Sequence, residues 1–231
     1  MSLATNSIRK VVPMAQKIAE VAAGHARLAE IVGTLTDDQA RADSALPGWS
    51  RGHVLTHVAN LARALTRQVE YALDGKLVDV YDGGAEGRAA AIEQGAGRPA
   101  AALADDVVQS AKELESAWAA VGPDDWARPV KHRDGTVADT VLVRWREVEI
   151  HTADLGLTPV RWSPEFRGHL FGFLSPRIPA GVSLVLPDRT LGEGEPVHVT
   201  GDLTDIAAWL AGRDYAGELV FSRPIRLGPW P

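Results

Sequence analysis

Arg144-Trp-Arg-Glu-Val-Glu-Ile-His-Thr-Ala-Asp154 is the run around which the rest of the chain can be read. In a helix, residues four apart stand one above the other on one face, so Glu147 and His151 can address a single ion. A carboxylate and a neutral imidazole at that spacing suit a divalent metal such as Zn²⁺. Arg144 and Asp154 extend the polar stripe, and Val141, Trp145 and Val148 mark an apolar flank. A Glu–His pair at this spacing also occurs as an ordinary exposed helix pair, so a third donor is required. The best one lies far upstream, in Gly52-His-Val-Leu-Thr-His57-Val.

Helical geometry separates the two histidines of that segment. Val54, Val58, Leu61, Leu65 and Ala72 define an apolar stripe. At 3.6 residues per turn, His57 lies roughly 75° from the centre of the stripe and His53 roughly 115°. A metal inside a helical bundle needs an inward ligand, which selects His57 and leaves His53 beside the site or in a cleft. Glu149 points away from the Glu147/His151 face and reads as solvated. Asp154, three residues after His151, can accept a hydrogen bond from the imidazole nitrogen left free by a metal.

The 231 residues allow one large domain or two modest ones, and 45% hydrophobic with 23% charged residues is ordinary for a globular chain. A net charge of −6 argues against nucleic acid, whose phosphates call for a basic footprint. No apolar run approaches the ~20 residues that span a bilayer, and the N-terminus lacks the apolar stretch of a signal peptide. The expectation is a cytoplasmic protein without membrane contact, monomeric or homodimeric. Cysteine is absent, which excludes disulfides, thiolate metal ligands and a protein-borne sulfur nucleophile. Any thiol chemistry must use sulfur brought by a small molecule.

Apolar spacing predicts a helix over residues 14–33, a short helix capped by Thr36, and a long helix from Ser50 to about residue 75. Residues 78–87, acidic and glycine-rich, read as a loop, and residues 1–6 as a loose terminus. A short helix follows over residues 88–94, then a long one opened by Pro99 and ending near residue 121. Residues 130–137, with Asp134-Gly135, fit a small hairpin or irregular loop. The last long helix runs from about residue 137 to 155 and stops at Gly156. Four long helices in sequence suggest a bundle. Beyond Thr158-Pro159 the texture changes to a helix opened by Ser163-Pro164, strands over 182–186 and 196–200 separated by turn residues, a helix over 204–213 and a strand over 218–221.

Trp49-Ser-Arg-Gly-His-Val-Leu-Thr-His57-Val, followed downstream by Arg146-Glu-Val-Glu-Ile-His151-Thr-Ala-Asp-Leu-Gly156, resembles the mycothiol-dependent maleylpyruvate isomerase family of DinB-like metalloenzymes. The resemblance implies an α + α/β chain: a DinB-like four-helix bundle over residues 1–157, then a small sterol-carrier-like α/β domain over residues 158–231. It implies His57, Glu147 and His151 as ligands of Zn²⁺ or another divalent metal, around which the spacing argued above places His53, Arg144 and Asp154. It also implies mycothiol as cosubstrate. The abundance of Arg, Ala, Gly and Asp is compatible with an actinobacterial, mycothiol-making host. Arg213, in Leu210-Ala-Gly-Arg-Asp214, matches the position of a family arginine implicated in activity; a guanidinium can hold both oxygens of a carboxylate. An ordinary surface arginine is the competing reading. His25, His132, His169 and His198 have no partner spacing and are assigned no role.

Three protein ligands leave a metal an open position, as catalytic zinc sites require. A thiol there would lose its proton and could add to a small electrophile. In an isomerase the thiolate adds to the maleylpyruvate double bond, permits rotation and leaves; in an S-transferase the adduct is released. The metal motif does not separate the two. A non-catalytic ligand-binding or regulatory metal protein is the rival from another class, although structural zinc normally fills all four positions with protein ligands. An unrelated metal-dependent hydrolase is a third reading. Gly-x-Gly-x-x-Gly, P-loop, Gly-x-Ser-x-Gly and His-Glu-x-x-His motifs are absent.

Overall fold

The computed structural model describes residues 13–231; the expectation for residues 1–6 lies outside them. The chain divides into two compact units, the first ending at Leu155 and the second running from Gly156 to Pro231.

In the first unit the helices are α1 (Met14–Val32), α2 (Asp37–Arg41), α3 (Arg51–Leu73), α4 (Gly84–Ala96), α5 (Ala100–Ala119) and α6 (Val137–Asp154). Their starts follow local chemistry. The Thr36 side chain accepts from the Gln39 amide, and that of Ser50 accepts from the His53 amide. The Thr36 and Ser50 amides are answered in turn by the Gln39 and His53 side chains, and the Thr136 amide donates to Asp139 at 2.8 Å.

The long helices α1, α3, α5 and α6 close a ring: α3 packs on α5 and α6, and α1 packs on α6 and α5. Inside it lie Val21, Leu28, Val54, Val58, Leu61, Leu65, Leu103, Leu114, Trp118, Val141, Trp145 and Val148, all essentially removed from water. Burial of each large side chain contributes about 1.5–3 kcal/mol, an upper figure because the unfolded chain is itself partly compact.

The helix α4 lies against the N-terminal half of α3. Two glycines permit this approach. A Cβ on Gly52 would stand 2.1 Å from the Ala96 carbonyl oxygen, and a Cβ on Gly95 would stand 2.5 Å from Thr56 Cγ2. Consequently α3 is buried on almost every side along this half. The first turn of α4 lies within residues 78–87, which the sequence presented as loop; helix begins at Gly84 because tertiary packing supplies what a glycine-rich start lacks.

Glu149 also departs from expectation. It is 5% exposed, not solvated, and pairs with Arg27 of α1. The face of α6 opposite Glu147 and His151 is covered by α1, so a carboxylate there is buried and needs a cation.

The second unit comprises α7 (Pro164–Leu174), β1 (Gly181–Val185), β2 (Thr190–Gly192), β3 (Gly194–Thr200), α8 (Leu203–Leu210) and β4 (Val220–Phe221). The sheet order is β2-β1-β3-β4, with β1 and β3 parallel and the outer pairs antiparallel. Phe166, Leu170 and Leu174 of α7, Ile206 and Leu210 of α8, and Leu184, Val197 and Val199 of the sheet are buried. The strand β2 occupies what read as turn residues, and α8 ends at Leu210, before Arg213. No described helix is long and apolar enough to cross a membrane.

Candidate metal centre

The bundle brings His57 of α3 and Glu147 and His151 of α6 together. Glu147 Oε2 stands 3.0 Å from His57 Nε2 and 3.1 Å from His151 Nε2. One ligand atom from each of the three lies within 4.8 Å of the others. Around a tetrahedral zinc, with bonds of about 2.1 Å, neighbouring ligand atoms stand about 3.4 Å apart. The donors therefore need shifts of only tenths of an ångström on two edges. The imidazole planes of His57 and His151 are nearly perpendicular, 87°, with ring centres 4.8 Å apart, so both nitrogens can converge on one point.

The residues around these three divide clearly. Asp154, 1% exposed, presents Oδ2 2.9 Å from His151 Nδ1. Such a contact fixes the ring and leaves Nε2 for the ion. His53 is held otherwise: its Nδ1 accepts from the Ser50 amide at 3.1 Å, its Nε2 lies 3.3 Å from Glu93, and its ring stacks on Trp49. Its placement is that of a helix-capping side chain. Trp49 also meets the edge of His57, with ring centres 5.7 Å apart.

Arg144 is fully buried. It donates from Nε to His25 Nε2 at 2.8 Å and from Nη1 to the Val58 carbonyl at 2.7 Å. It therefore braces the backbone of the residue next to His57, and no hydrogen bond or ion pair links it to the three donors. Because His25 Nε2 accepts, its Nδ1 donates to Glu115, at 2.6 Å. This His25–Glu115–Arg144 network, buried at His25 and Arg144 and half-exposed at Glu115, was missed in the sequence, although His25 falls in step with Val21, Leu28 and Val32 on the buried face of α1. Burial holds the Arg144 pKa down to about 10.

Charge within the site is uneven. Burial pushes the Glu147 carboxyl up, but hydrogen bonds from His151 and His57 outweigh it and hold it well below the usual carboxylate range. Burial lowers His57 below the ordinary histidine value despite its bond to Glu147. Burial would lower His151 too, yet Asp154 and then Glu147 raise it to about 9. In the metal-free protein His151 thus carries the cationic proton between two carboxylates. A divalent ion replacing that proton would leave two carboxylates and two neutral imidazoles, a set that balances its charge. By donor chemistry, spacing and charge, the residues fit such an ion.

Arg213 lies in the second unit, past the end of α8. Its Nη1 donates to the Ala211 carbonyl at 3.1 Å, and its guanidinium stands 5.7 Å from the centre of the Trp230 ring.

A ring of helices with two histidines and a glutamate converging in its interior defines a bundle of the kind that can hold a catalytic metal. Residues 21–156, which carry all three donors, match the mycothiol maleylpyruvate isomerase N-terminal domain family. The chain belongs to that family, a family of enzymes. Its fold is that of the crystal structure of a mycothiol-dependent maleylpyruvate isomerase, with a TM-score of 0.83 and 24% identity over 94% of this chain and 97% of that one. A histidine-to-alanine mutant of the same isomerase matches with the same values. A comparison with curated proteins returns no match.

Proposed function

We propose that this chain is a divalent-metal-dependent enzyme, with zinc as the best-fitting ion, that uses mycothiol to isomerise a small unsaturated acid of the maleylpyruvate type from cis to trans. The observation that carries the reading is the convergence of His57, Glu147 and His151 within 4.8 Å, inside the segment that matches the family. In the same reading the first unit is the DinB-like bundle and the second the sterol-carrier-like domain.

When bound, the ion supplies the Lewis acidity that keeps a thiol deprotonated near neutral pH. The chain's own groups do the rest. Three donors from two helices leave a position open for an outside ligand. Asp154 fixes the His151 ring, and Arg144, through the Val58 carbonyl, steadies the turn of α3 that carries His57. The thiol sulfur forms a C–S bond to one carbon of the double bond, and the electron pair moves into the conjugated carbonyl. Rotation about the resulting single bond and cleavage of the C–S bond give the trans acid and return the thiol. Arg213 is proposed to hold a substrate carboxylate.

The test is turnover of maleylpyruvate by zinc-loaded protein with and without mycothiol, products being separated chromatographically. Mycothiol-dependent formation of the trans acid supports the reading. A stable thioether product would make the chain a transferase, and no thiol-dependent turnover of any unsaturated acid would overturn the proposal.

A further inference from the structure

Within the first unit, Arg88, which touches His57, also lines a cavity of about 740 Å³. Its walls are the 78–85 segment, Arg67 of α3, Arg88 of α4, and His132 and Arg133 from the turn before α6. Buried Gln68 fastens two of these walls. Its Nε2 donates to the Val78 carbonyl at 2.8 Å, and its Oε1 accepts from the His132 amide at 3.1 Å. Arg133 sits at φ 55 and Asp134 at φ 50, two successive left-handed residues with side chains. Such backbone strain is retained where the surroundings fix it, and commonly at binding sites.

The charges of the cavity do not cancel. Its two carboxylates are already matched, Asp82 by Arg67 and Asp79 by Lys131, each at 2.7 Å. Arg88 has no carboxylate partner among the described residues. It donates to His57 Nδ1 at 3.1 Å, and its guanidinium stands 5.9 Å from the centre of the Tyr81 ring. Gly83, at the start of α4, offers no side chain to cap that helix; the Gly84 amide donates to the Tyr81 carbonyl at 3.1 Å, and Gly84 and Ala85 border the same space. In a chain of net charge −6, this is a local excess of donors with positive charge.

The same contact has a further consequence at His57 once an ion is bound. His151 Nδ1 faces the Asp154 carboxylate, whereas His57 Nδ1 faces a guanidinium. A neutral histidine that gives its Nε2 lone pair to a cation carries its proton on Nδ1. Two donors, Arg88 N–H and His57 Nδ1–H, would then confront one another at hydrogen-bond distance. An acceptor between them resolves the conflict, and a carboxylate has lone pairs enough for both.

We propose that this cavity is a carboxylate-binding subsite, with Arg88 as its anchor, that seats one carboxylate of an anionic substrate against His57. The part played by Arg88 and the cavity stands on their own geometry, while the part played by His57 rests on the metal reading above.

The probe is maleate, a cis dicarboxylate, titrated calorimetrically into metal-free and zinc-loaded protein. Wild type, Arg88→Gln and Arg88→Lys are compared, with zinc content and melting temperature measured on each. Arg88 is half-buried on a helix surface, so both variants should remain folded. The expected result is maleate binding that is tighter in zinc-loaded wild type, weakened about tenfold or more in Arg88→Gln, and partly restored in Arg88→Lys. Equal maleate affinity in wild type and Arg88→Gln would overturn the proposal, as would no binding to either form of the wild type. If wild type takes up no zinc, the metal reading fails separately, and the metal-free comparison alone decides the role of Arg88. The same comparison decides it if Arg88→Gln cannot be loaded.

Discussion

Replacing Asp154 by asparagine should weaken metal binding in a way that depends on pH. Asp154 Oδ2 lies 2.9 Å from His151 Nδ1 and is the larger of the two contacts that raise His151 to about 9. Asparagine keeps the shape and an acceptor oxygen but loses the charge. Two effects follow, with opposite consequences for affinity. Loss of the carboxylate behind a ligating histidine costs about 10–100-fold in intrinsic affinity, or roughly 1.4–2.7 kcal/mol. Against that, the ion must expel the His151 proton. With a metal-free pKa near 9, wild type should lose about tenfold in apparent affinity for each pH unit below 9. At pH 7 this proton penalty is about 100-fold. Without Asp154 the His151 pKa falls toward its ordinary value, and a fall of even about 1 unit removes about tenfold of the penalty. Asp154→Asn should therefore be about 10–100-fold weaker than wild type at pH 9.5 but closer to it, by about tenfold or more, at pH 7. Zinc competition against a buffered chelator at both pH values measures this directly. A deficit of the same size at both would refute the assignment of the proton to His151, and no deficit at either would remove Asp154 from the site.

The remaining predictions concern the scaffold and the second unit. Arg144→Met strands the His25 ring and the Val58 carbonyl inside the bundle, and should cost about 3 kcal/mol, a fall in melting temperature of about 6–12 °C by calorimetry; a change below about 1 °C would show that the network contributes little. Gly52→Ala drives a Cβ against the Ala96 carbonyl and should cost about 1–3 kcal/mol. Gly97→Ala, with nothing near the added atom, should be close to neutral, and equal losses in the two would refute the close-approach argument. Arg213→Ala should spare zinc content while lowering kcat/KM for an anionic acceptor about 10²-fold, with a much smaller effect on a neutral one; equal losses on both would assign Arg213 to the thiol or the fold.

Legibility in the sequence followed the range of the interactions. Helix starts at Thr36, Ser50 and Ser163 were readable because caps act within a few residues, and the structure has side-chain caps at all three. Glu147 and His151 were readable because one helix carries both, and helical phase alone turned His57 inward. Glu149 was misread because that same phase argument treats the far side of α6 as wet, whereas α1 covers it and Arg27 meets the charge. His25 looked isolated because its partners, Glu115 and Arg144, lie 90 and 119 residues away. The strand β2 has only Leu191 buried and no alternation long enough to register. Arg88 carried no signal beyond its place at the start of the helix read over residues 88–94; its position against His57 depends on the glycine contacts that seat α4 on α3.

The central claim, that His57, Glu147 and His151 hold an ion able to take a thiol, is tested most directly by spectroscopy of the cobalt(II)-substituted protein. Cobalt(II) absorbs visibly in a tetrahedral site, and a thiolate bound to it adds a charge-transfer band. Wild type should bind about one cobalt per chain with tetrahedral absorption, and mycothiol should add the charge-transfer band. His57→Ala, Glu147→Ala and His151→Ala should each lose the bound cobalt and the band with it. Cobalt retained at full stoichiometry in all three variants, or cobalt bound in wild type with no new band at saturating mycothiol, would contradict the account.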